Sequence, residues 1–160
     1  VSEQTKESMY LAILQEGSAL YLRHYESARA VRISGMTGGR YPLQCSAPGK
    51  VLLAHAGEDY IDAFITAGYE SYTKNTMDEQ ALRSELIKIR SQGWALDNEE
   101  YGSGILCLAA PVFDHTGQAV GAVGTAVSTI YYDTESFTEK MLPIIKGAAD
   151  MISRRLGAFR

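Results

Sequence analysis

The chain has 160 residues and a formal net charge of −4, with 46% hydrophobic and 21% charged residues. This length predicts one domain with a sizeable core. The acidic balance, without any Lys/Arg cluster, argues against nucleic-acid binding by this chain itself, and no apolar stretch is long enough to span a membrane.

The ends and the cysteines suggest a cytoplasmic fragment of a longer protein. The polar start VSEQTKES has no initial Met and no signal-peptide pattern, so an excerpt from a longer chain is expected. Two cysteines, Cys45 and Cys107, do not make a disulfide framework. Without a secretion signal, they favour reduced thiols and a cytoplasmic location.

The first elements are predicted to be strands. Residues 9–27 contain two apolar runs around a Glu-Gly-Ser turn, which is typical of a β-hairpin. The segment AVRISG, residues 30–35, predicts a third strand. The glycine-rich segment GMTGGRYPLQ, residues 35–44, predicts a flexible connection into the next motif.

The motif CSAPGKVLLA, residues 45–54, contains a Gly-Lys pair but lacks the first glycine and the Ser/Thr of a phosphate-binding loop. Ser46 suits a helix N-cap, and Pro48 suits the first turn. We expect the free N–H groups of Gly49 and Lys50 to point outward and to offer a site for a carboxylate or other small anion. The alternative is an ordinary helix start with a solvated Lys50.

The remaining elements alternate helices and strands. The apolar spacing predicts a short helix through His55, a helix over 58–68 and a helix capped by Asp78 that ends at Gly93. A short strand in WALDNEE and two long strands joined at residues 114–118 follow. A final helix starts at Thr134, and Pro143 is expected to bend it or to split off its first turn. This order predicts an α+β domain with a mostly antiparallel sheet of about six strands.

The two long strands place small residues on one face. Folding the hairpin at residues 115–117 is expected to bring Cys107 within about one residue of Gly124, with Ala126 nearby. Such a face leaves space either for a ligand or for a closely packed helix. Asp97 is expected to face inward, where its carboxylate needs hydrogen-bond donors such as a ligand hydroxyl. The alternative is a solvated acidic turn.

Catalytic and metal-binding patterns are weak. Cys45 lies near a helix N-terminus, which can lower a thiol pKa, but no spacing pairs it with His24, His55 or His115. Neither CxxC nor HExxH spacing is present. We therefore predict no catalytic residue, no metal site and no cofactor.

The ordered combination of motifs resembles a known family. GGRYPLQCSAPGKVLLA, the spacer LRSELIKIRSQG and GWALDNEEYGSGILCLAAPVFDHTGQAVGAVGTAVS are similar to the effector-binding domain of IclR-type bacterial transcription regulators. The resemblance covers essentially all 160 residues. It implies a GAF-like domain at 9–160, preceded by the end of a linker helix at 1–8 and by a DNA-binding winged helix that this chain lacks.

The resemblance also implies a ligand pocket and partners. It implies a cytoplasmic homodimer or homotetramer, such as a repressor, that contacts DNA only through the missing domain and binds a small effector, expected to carry a carboxylate. Members that bind very small keto acids have serines at two positions that are glycine and alanine here, and Pro48 removes an N–H. A larger acid, such as a sugar-derived acid, is therefore expected. The implied pocket residues are Ile33, Tyr41, Ser46, Ala47, Pro48, Gly49, Asp97, Ile105, Cys107, Gly124 and Ala126.

Two other functions stay open from the residues alone. The small-residue face would also suit a ligand-free assembly module that packs only against protein. A cysteine-dependent hydrolase would use Cys45 or Cys107 as its nucleophile, although the scattered histidines speak against it.

Overall fold

A computed structural model describes residues 2–158 of the chain. The predicted α+β class is confirmed. Residues 1, 159 and 160, at the outer ends of the predicted linker tail and domain, lie outside the described residues. The elements are α1 (Ser2–Thr5), β1 (Ser8–Gln15), β2 (Ser18–Tyr25), β3 (Arg40–Pro42), α2 (Ala47–Ala54), α3 (Glu58–Ala67), α4 (Glu79–Gln92), β4 (Ala95–Asn98), β5 (Ile105–Phe113), β6 (Ala119–Ser128) and α5 (Thr134–Arg155).

The described strands form one antiparallel sheet of six strands in the order β3-β2-β1-β6-β5-β4. Each hairpin forms where the sequence has a turn signal: residues 16–17 join β1 to β2, and residues 114–118 join β5 to β6. The first and last strand pairs meet in the middle, where β1 pairs with β6. The number of strands and their antiparallel pairing agree with the prediction.

The third strand was placed wrongly. Residues 30–35 are not a strand; the third strand is β3, which pairs with β2 from Ser18↔Pro42 to Leu20↔Arg40. The segment at residues 26–34 instead bonds to the start of β1 and to the loop after β6. Ala28 N–H donates to Lys6 O at 3.2 Å, and Val31 N–H donates to the Tyr131 hydroxyl at 3.2 Å. Because the edge of β2 is taken by β3, the alternating residues of AVRISG have no ladder to join.

Helix boundaries follow the predicted signals. α3 ends before Gly68, and α4 begins after its Asp78 cap and ends before Gly93, which has a left-handed backbone. α5 is continuous through Pro143, so the predicted split is wrong. Pro143 and Glu139, whose carbonyl loses its helical partner, are both exposed, and water can satisfy that carbonyl.

Two layers of helices cover the sheet. α2, α3 and α4 pack on one face, where the buried side chains include Tyr10, Val51, Leu86 and Cys107. α5 packs on the other face over β5 and β6, and its Phe137, Met141 and Ile145 are buried there. The start of α2 and the inward faces of β4, β5 and β6 therefore belong to the same layer, which positions the candidate site.

Candidate functional site

The start of α2 is a tightly folded turn. Ser46 caps the helix, as predicted: its Oγ accepts from Gly49 N–H at 3.1 Å and donates to Pro42 O at 2.6 Å. Lys50 N–H bonds to Ser46 O at 2.9 Å. The expectation that the N–H groups of Gly49 and Lys50 point outward is therefore wrong, because the cap and the first helical turn use them. Ala47 keeps the one N–H at this end without a partner among residues 2–158.

Gly49 is required by this turn. A Cβ at position 49 would collide with the Pro42 carbonyl oxygen, would lie 2.5 Å from Ser46 Oγ and would lie 2.7 Å from Leu43 Cα. The glycine of the motif therefore serves close backbone packing. Ser46, Pro48 and Gly49 are all buried.

Lys50 is a buried cation, so the expectation of a solvated Lys50 is also wrong. Its side chain has no solvent exposure. The Nζ atom donates to Glu100 Oε1 at 2.8 Å and to Leu96 O at 2.6 Å, and it lies 3.7 Å from Glu85 Oε1. Lys50 thus ties α2 to β4, to α4 and to the loop that follows β4.

Asp97 faces inward, and the alternative of a solvated acidic turn is wrong. It is completely buried. Its Oδ1 accepts from the N–H groups of Glu100 at 2.8 Å and Tyr101 at 3.4 Å. Its Oδ2 is buried without a hydrogen-bond partner in the described part of the chain, and so is Glu100 Oε2. Two carboxylate oxygens therefore have unused acceptor capacity in the interior.

The positive charge of Lys50 does not balance the negative charges of the buried carboxylates around it. Burial raises the pKa of Asp97 to about 7; the Glu100 N–H and Lys50 lower it, while the Glu100 carboxylate raises it further. Burial also raises the pKa of Glu100, against the opposing effect of Lys50. Since one lysine faces Asp97, Glu100 and Glu85, a proton or a hydrogen-bond donor is favoured beside Asp97.

Cys107 lies at the centre of the predicted set. It pairs with Asp97 on β4 and with Ala126 on β6. Gly124 pairs with Ala109, so Cys107 is displaced by two residues from Gly124, one more than predicted. The pairing register of β5 and β6 shifts between Val112 and Phe113. The prediction assumed that paired residue numbers have a constant sum from the turn onward, and such a shift breaks that assumption.

The space above Gly124 is filled by Tyr10. A Cβ at position 124 would collide with the Leu108 carbonyl oxygen and would lie 2.5 Å from the Tyr10 hydroxyl. That hydroxyl donates to Leu108 O at 3.2 Å. The expectation that both small positions add room for a ligand is therefore wrong for Gly124. Among the small residues of this face, Ala126 and Cys107 keep a slight solvent exposure, at 7% and 8%.

A series of tyrosines runs from this interior to the surface. Tyr21 stacks on Tyr10 with ring centroids 4.6 Å apart and on Tyr41 at 4.0 Å. Tyr101 then contacts Tyr41 edge-on at 5.9 Å and Tyr72 at 5.2 Å. Of this series, only Tyr41 had been selected from the sequence. The ten tyrosines among 160 residues were the available signal, but their stacking depends on pairing between distant segments.

The structure brings most of the predicted residues together. Ala47, Cys107 and Ala126 belong to one buried cluster with Tyr10 and Tyr21. The predicted apolar wall residues pack against this same cluster and are half-buried; they are Ile33, Tyr41 and Ile105. The arrangement combines aromatic faces, an unpaired carboxylate oxygen and an N–H at a helix start, which suits binding of a small polar molecule.

The thiols are poor nucleophiles. Burial, followed by the nearby Asp97 and Glu100 carboxylates, raises the pKa of Cys45 to about 12, so the predicted lowering of this pKa is wrong. Burial also raises the pKa of Cys107 well above its usual value. A protonated thiol cannot attack a carbonyl efficiently, which disfavours the cysteine-dependent hydrolase. Within residues 2–158, no three His, Cys, Asp or Glu side chains are placed to hold a metal ion.

Membrane insertion finds no support in the helices. Among the residues described here, none of the helices has the length and apolar character that crossing a bilayer requires.

The sequence matches an established family. The profile described as "Bacterial transcriptional regulator IclR C-terminal" covers residues 1–154. The HTH-type transcriptional regulator KdgR of Escherichia coli is 33% identical over 159 residues, which is 98% of this chain and 60% of KdgR. The chain thus spans about three fifths of that relative.

Solved structures share the fold. Thermotoga maritima IclR superimposes with a TM-score of 0.88 at 30% identity, over 97% of this chain and 63% of that one. An IclR homologue from Microbacterium hydrocarbonoxydans, solved in complex with 4-hydroxybenzoate, has a TM-score of 0.85 at 24% identity, over 97% of this chain and 62% of that one. These likenesses agree with the α+β fold described above.

Proposed function

Because the chain belongs to the IclR C-terminal family of bacterial transcriptional regulators, we propose that it is the effector-sensing domain of such a regulator. The proposed site lies between the start of α2 and the inward faces of β4, β5 and β6. It includes Asp97, Cys107, Ala126 and Ala47, with Ile33, Tyr41 and Ile105 as walls. Ser46, Pro48 and Gly49 shape the turn, and Gly124 seats the Tyr10 ring.

The observation that carries this proposal is Asp97 Oδ2, which is buried and has no donor beside it among the described residues other than the weak thiol donor of the facing Cys107. A buried carboxylate oxygen without a donor is costly, and the cost is removed when a ligand hydroxyl donates to it. Asp97 is directly opposite Cys107, which keeps a slight solvent exposure. A ligand that arrives beside Cys107 therefore meets an acceptor already oriented by the N–H groups of Glu100 and Tyr101.

The chemistry favours a hydroxylated organic acid as the effector. A hydroxyl group supplies the donor that Asp97 needs. The ligand carboxylate is placed at the other end, toward the Ala47 N–H and the positive end of the α2 dipole, because Asp97 and Glu100 would repel it. The half-buried ring of Tyr41, which stacks on Tyr21, offers an aromatic contact to a flat or C–H-rich ring. We therefore propose a sugar-derived or hydroxylated aromatic acid.

The regulatory consequence concerns subunit arrangement. We propose that the full-length regulator is a homodimer or homotetramer that contacts DNA through an N-terminal domain preceding this one. Residues 1–8 then form the end of a linker whose helical part here is α1 (Ser2–Thr5), with Ser8 already in β1, and 9–160 form the sensing domain. A bound effector changes DNA affinity only if it binds two subunit arrangements with different affinity.

A thermal-shift screen tests the proposal. The panel contains glyoxylate, pyruvate, sugar acids and hydroxybenzoates, the last because a structural neighbour is complexed with 4-hydroxybenzoate. A binding acid at 100 times its dissociation constant adds about 2.7 kcal/mol of stability, which raises the unfolding midpoint by several degrees. Cys107→Leu should abolish that shift, and Ile87→Ala, on the exposed side of α4, should keep it. A panel without any hit would favour the ligand-free assembly module instead.

A further inference from the structure

Four residues form one row across the sheet, and three of them belong to the proposed effector site. Asp97 pairs with Cys107, and Cys107 pairs with Ala126. Ala126 in turn pairs with Ser8, the first residue of β1. Residues that pair across antiparallel strands point to the same face, so Ser8 lies on the side of the sheet that carries the site. Ser8 has no solvent exposure, so another segment must cover this end of the row.

Residues 27–33, here called the strap, cover the Ser8 end of the row. Ser8 Oγ accepts a hydrogen bond from the Ser27 N–H at 3.1 Å and donates a long one to Ile33 O at 3.5 Å, so it holds both ends of the strap. The Ile33 side chain packs against the buried cluster that contains Cys107. The strap therefore ends as a wall of the proposed site.

The strap has little to hold it besides these ends. Residues 28–33 belong to no helix or strand, and four of the six are exposed; they are Ala28, Ala30, Val31 and Arg32. A segment with few buried contacts and few backbone hydrogen bonds opens locally at a low cost in free energy. The position of the strap therefore depends on the side chains that fix it to the domain.

Arg29 fixes the strap by reaching a buried carboxylate. Glu7, the residue before Ser8, is 1% exposed. Arg29 Nε donates to Glu7 Oε1 at 2.7 Å, and the Tyr132 hydroxyl donates to the same oxygen at 2.8 Å. The Arg29 guanidinium also lies over the Tyr131 ring, 4.5 Å from its centre. A charge-assisted hydrogen bond to a buried carboxylate is strong, and opening it would leave that carboxylate without its cation.

A second arginine of the strap makes its ion pair in water. Arg32 Nε lies 3.3 Å from Glu26 Oε2, and the two side chains are 46% and 53% exposed. Exposed ion pairs contribute little to stability. Of the two arginines in the strap, Arg29 is therefore the one that holds it in place, and Arg32 is its matched control.

We propose that Arg29 is a positioning residue of the effector site: through Glu7 it holds the strap over the Ser8 end of the row and keeps the Ile33 wall in place. This inference rests on the proposed function. When the ion pair opens, the strap lifts and Cys107 becomes accessible from this side. A small organic acid then binds with lower affinity, because only the fraction of molecules with the strap in place offers the complete wall.

Modification of Cys107 by N-ethylmaleimide tests the strap without an effector. Cys45→Ala leaves Cys107 as the only thiol of the chain. In that background Arg29→Met should speed the reaction at least about tenfold, from the loss of a hydrogen bond between charged groups. Arg29→Lys keeps the charge and should restore most of the slow rate, and Arg32→Met should react at the rate of the parent. An Arg29→Met protein that reacts no faster than Arg32→Met would overturn the proposal.

Hydrogen exchange separates opening of the strap from general unfolding. In Arg29→Met the amides of residues 26–33 should gain exchange rate by a larger factor than those of β5. Equal factors in the two segments would mean that the pair only stabilises the domain as a whole, and would overturn the positioning role. If Arg29→Met does not fold, Glu7→Gln weakens the same pair, keeps the side-chain shape and should act in the same direction.

Calorimetric titration tests the consequence for binding. Gluconate and 4-hydroxybenzoate are titrated into the wild type, Arg29→Met and Arg32→Met. Binding to Arg29→Met should be at least about fivefold weaker, and binding to Arg32→Met unchanged. An acid that binds all three proteins equally would overturn the role of the strap as a wall. If Cys107 reacts faster in Arg29→Met but neither acid binds any of the three, the result supports the strap and counts against the proposed function.

Discussion

Only one of the two carboxylate oxygens of Asp97 accepts hydrogen bonds from the protein. Oδ1 is fixed by two backbone N–H groups, while Oδ2 is buried without a partner among the described residues. The groups around it come from every packed element: Glu100 from its own loop, Lys50 from α2, Glu85 from α4, Cys107 from β5, and Tyr10 and Tyr21 from β1 and β2. Only Lys50 among them is positive.

This environment makes Asp97 destabilising at neutral and alkaline pH. Its pKa is raised from 3.8 to about 7, so the folded state binds a proton more tightly than the unfolded state. The free energy of unfolding therefore falls as the pH rises from about 4 to about 7.

Asp97→Asn removes the charge and keeps an acceptor for the Glu100 N–H. At pH 8 the variant should be more stable than wild type by on the order of 2 to 4 kcal/mol, and this difference should largely disappear near pH 4, where Asp97 is protonated in both states. Denaturant unfolding at both pH values measures it. Asp114→Asn is the control: hydrogen bonds, first from Thr116, lower the pKa of half-buried Asp114, so removing its charge should not increase stability. A variant less stable than wild type at pH 8 would show that the Asp97 charge is fully compensated.

Lys50 is the cation that partly balances the charge of the buried carboxylates. Lys50→Met should destabilise the domain at pH 7 by about 3 to 5 kcal/mol, because Glu100 then stays buried without its cation. Combining it with Glu100→Gln should recover much of the loss. Lys88→Met, at an exposed position of α4, should be close to neutral. Urea unfolding compares the four proteins, and equal stability of Lys50→Met and wild type would contradict the account of this cluster.

Among the elements, α2 depends most on its entry turn. The Ser46 cap, the Pro42 carbonyl and Gly49 lie within a few ångströms of one another, so that turn fixes where Ala47 and Lys50 point. α2 in turn contacts β1, β2, β4, β5, β6 and both α3 and α4. A change in the turn is therefore transmitted to the whole layer that holds the candidate site.

A pair of glycine substitutions separates packing from helix propensity. Gly49→Ala should destabilise the domain by roughly 1 to 3 kcal/mol, since its Cβ collides with the turn. Gly147→Ala, inside α5 with nothing within 4 Å of the added Cβ, should stabilise it by about 0.5 to 1 kcal/mol. Thermal unfolding of both variants checks the signs. A Gly49→Ala variant at least as stable as wild type would mean that the turn tolerates a side chain.

Local signals made most elements predictable, and long-range pairing made the rest unpredictable. Ser46, Asp78, Gly68 and Gly93 mark helix ends through their own backbone and side-chain chemistry, and the structure places those ends accordingly. β3 was missed because three residues carry no periodicity of their own and are a strand only where β2 leaves an edge.

The candidate site was likewise predictable only where its features follow from local sequence. The inward face of Asp97 and the small residues beside Cys107 followed from strand alternation. The burial of Lys50, the stacking of Tyr21 on Tyr41 and the filling of Gly124 by Tyr10 did not, because each joins segments that are 20 or more residues apart. Charge and aromatic composition indicated that such contacts exist without indicating their partners.

The two faces of the sheet pack against different helices. The layer of α2, α3 and α4 encloses the proposed effector site, and the other face of the sheet packs against α5. The central sheet is shared, since Tyr10 of the site and Met9 and Leu11 of the α5 face are neighbours on β1. A ligand that shifts β1 would therefore act on both faces.

Calorimetric titration tests whether Asp97 binds the effector. The acid that most stabilises the wild type is titrated into the wild type, into Asp97→Ala and into Asn98→Ala. Asp97 and Asn98 are adjacent on β4, but Asp97 is buried in the site and Asn98 is exposed on the other side. Binding to Asp97→Ala should be at least about tenfold weaker, from the loss of one hydrogen bond to a charged group, and binding to Asn98→Ala should be unchanged. Equal affinity of the wild type and both variants would contradict this prediction and would place the effector elsewhere in the domain.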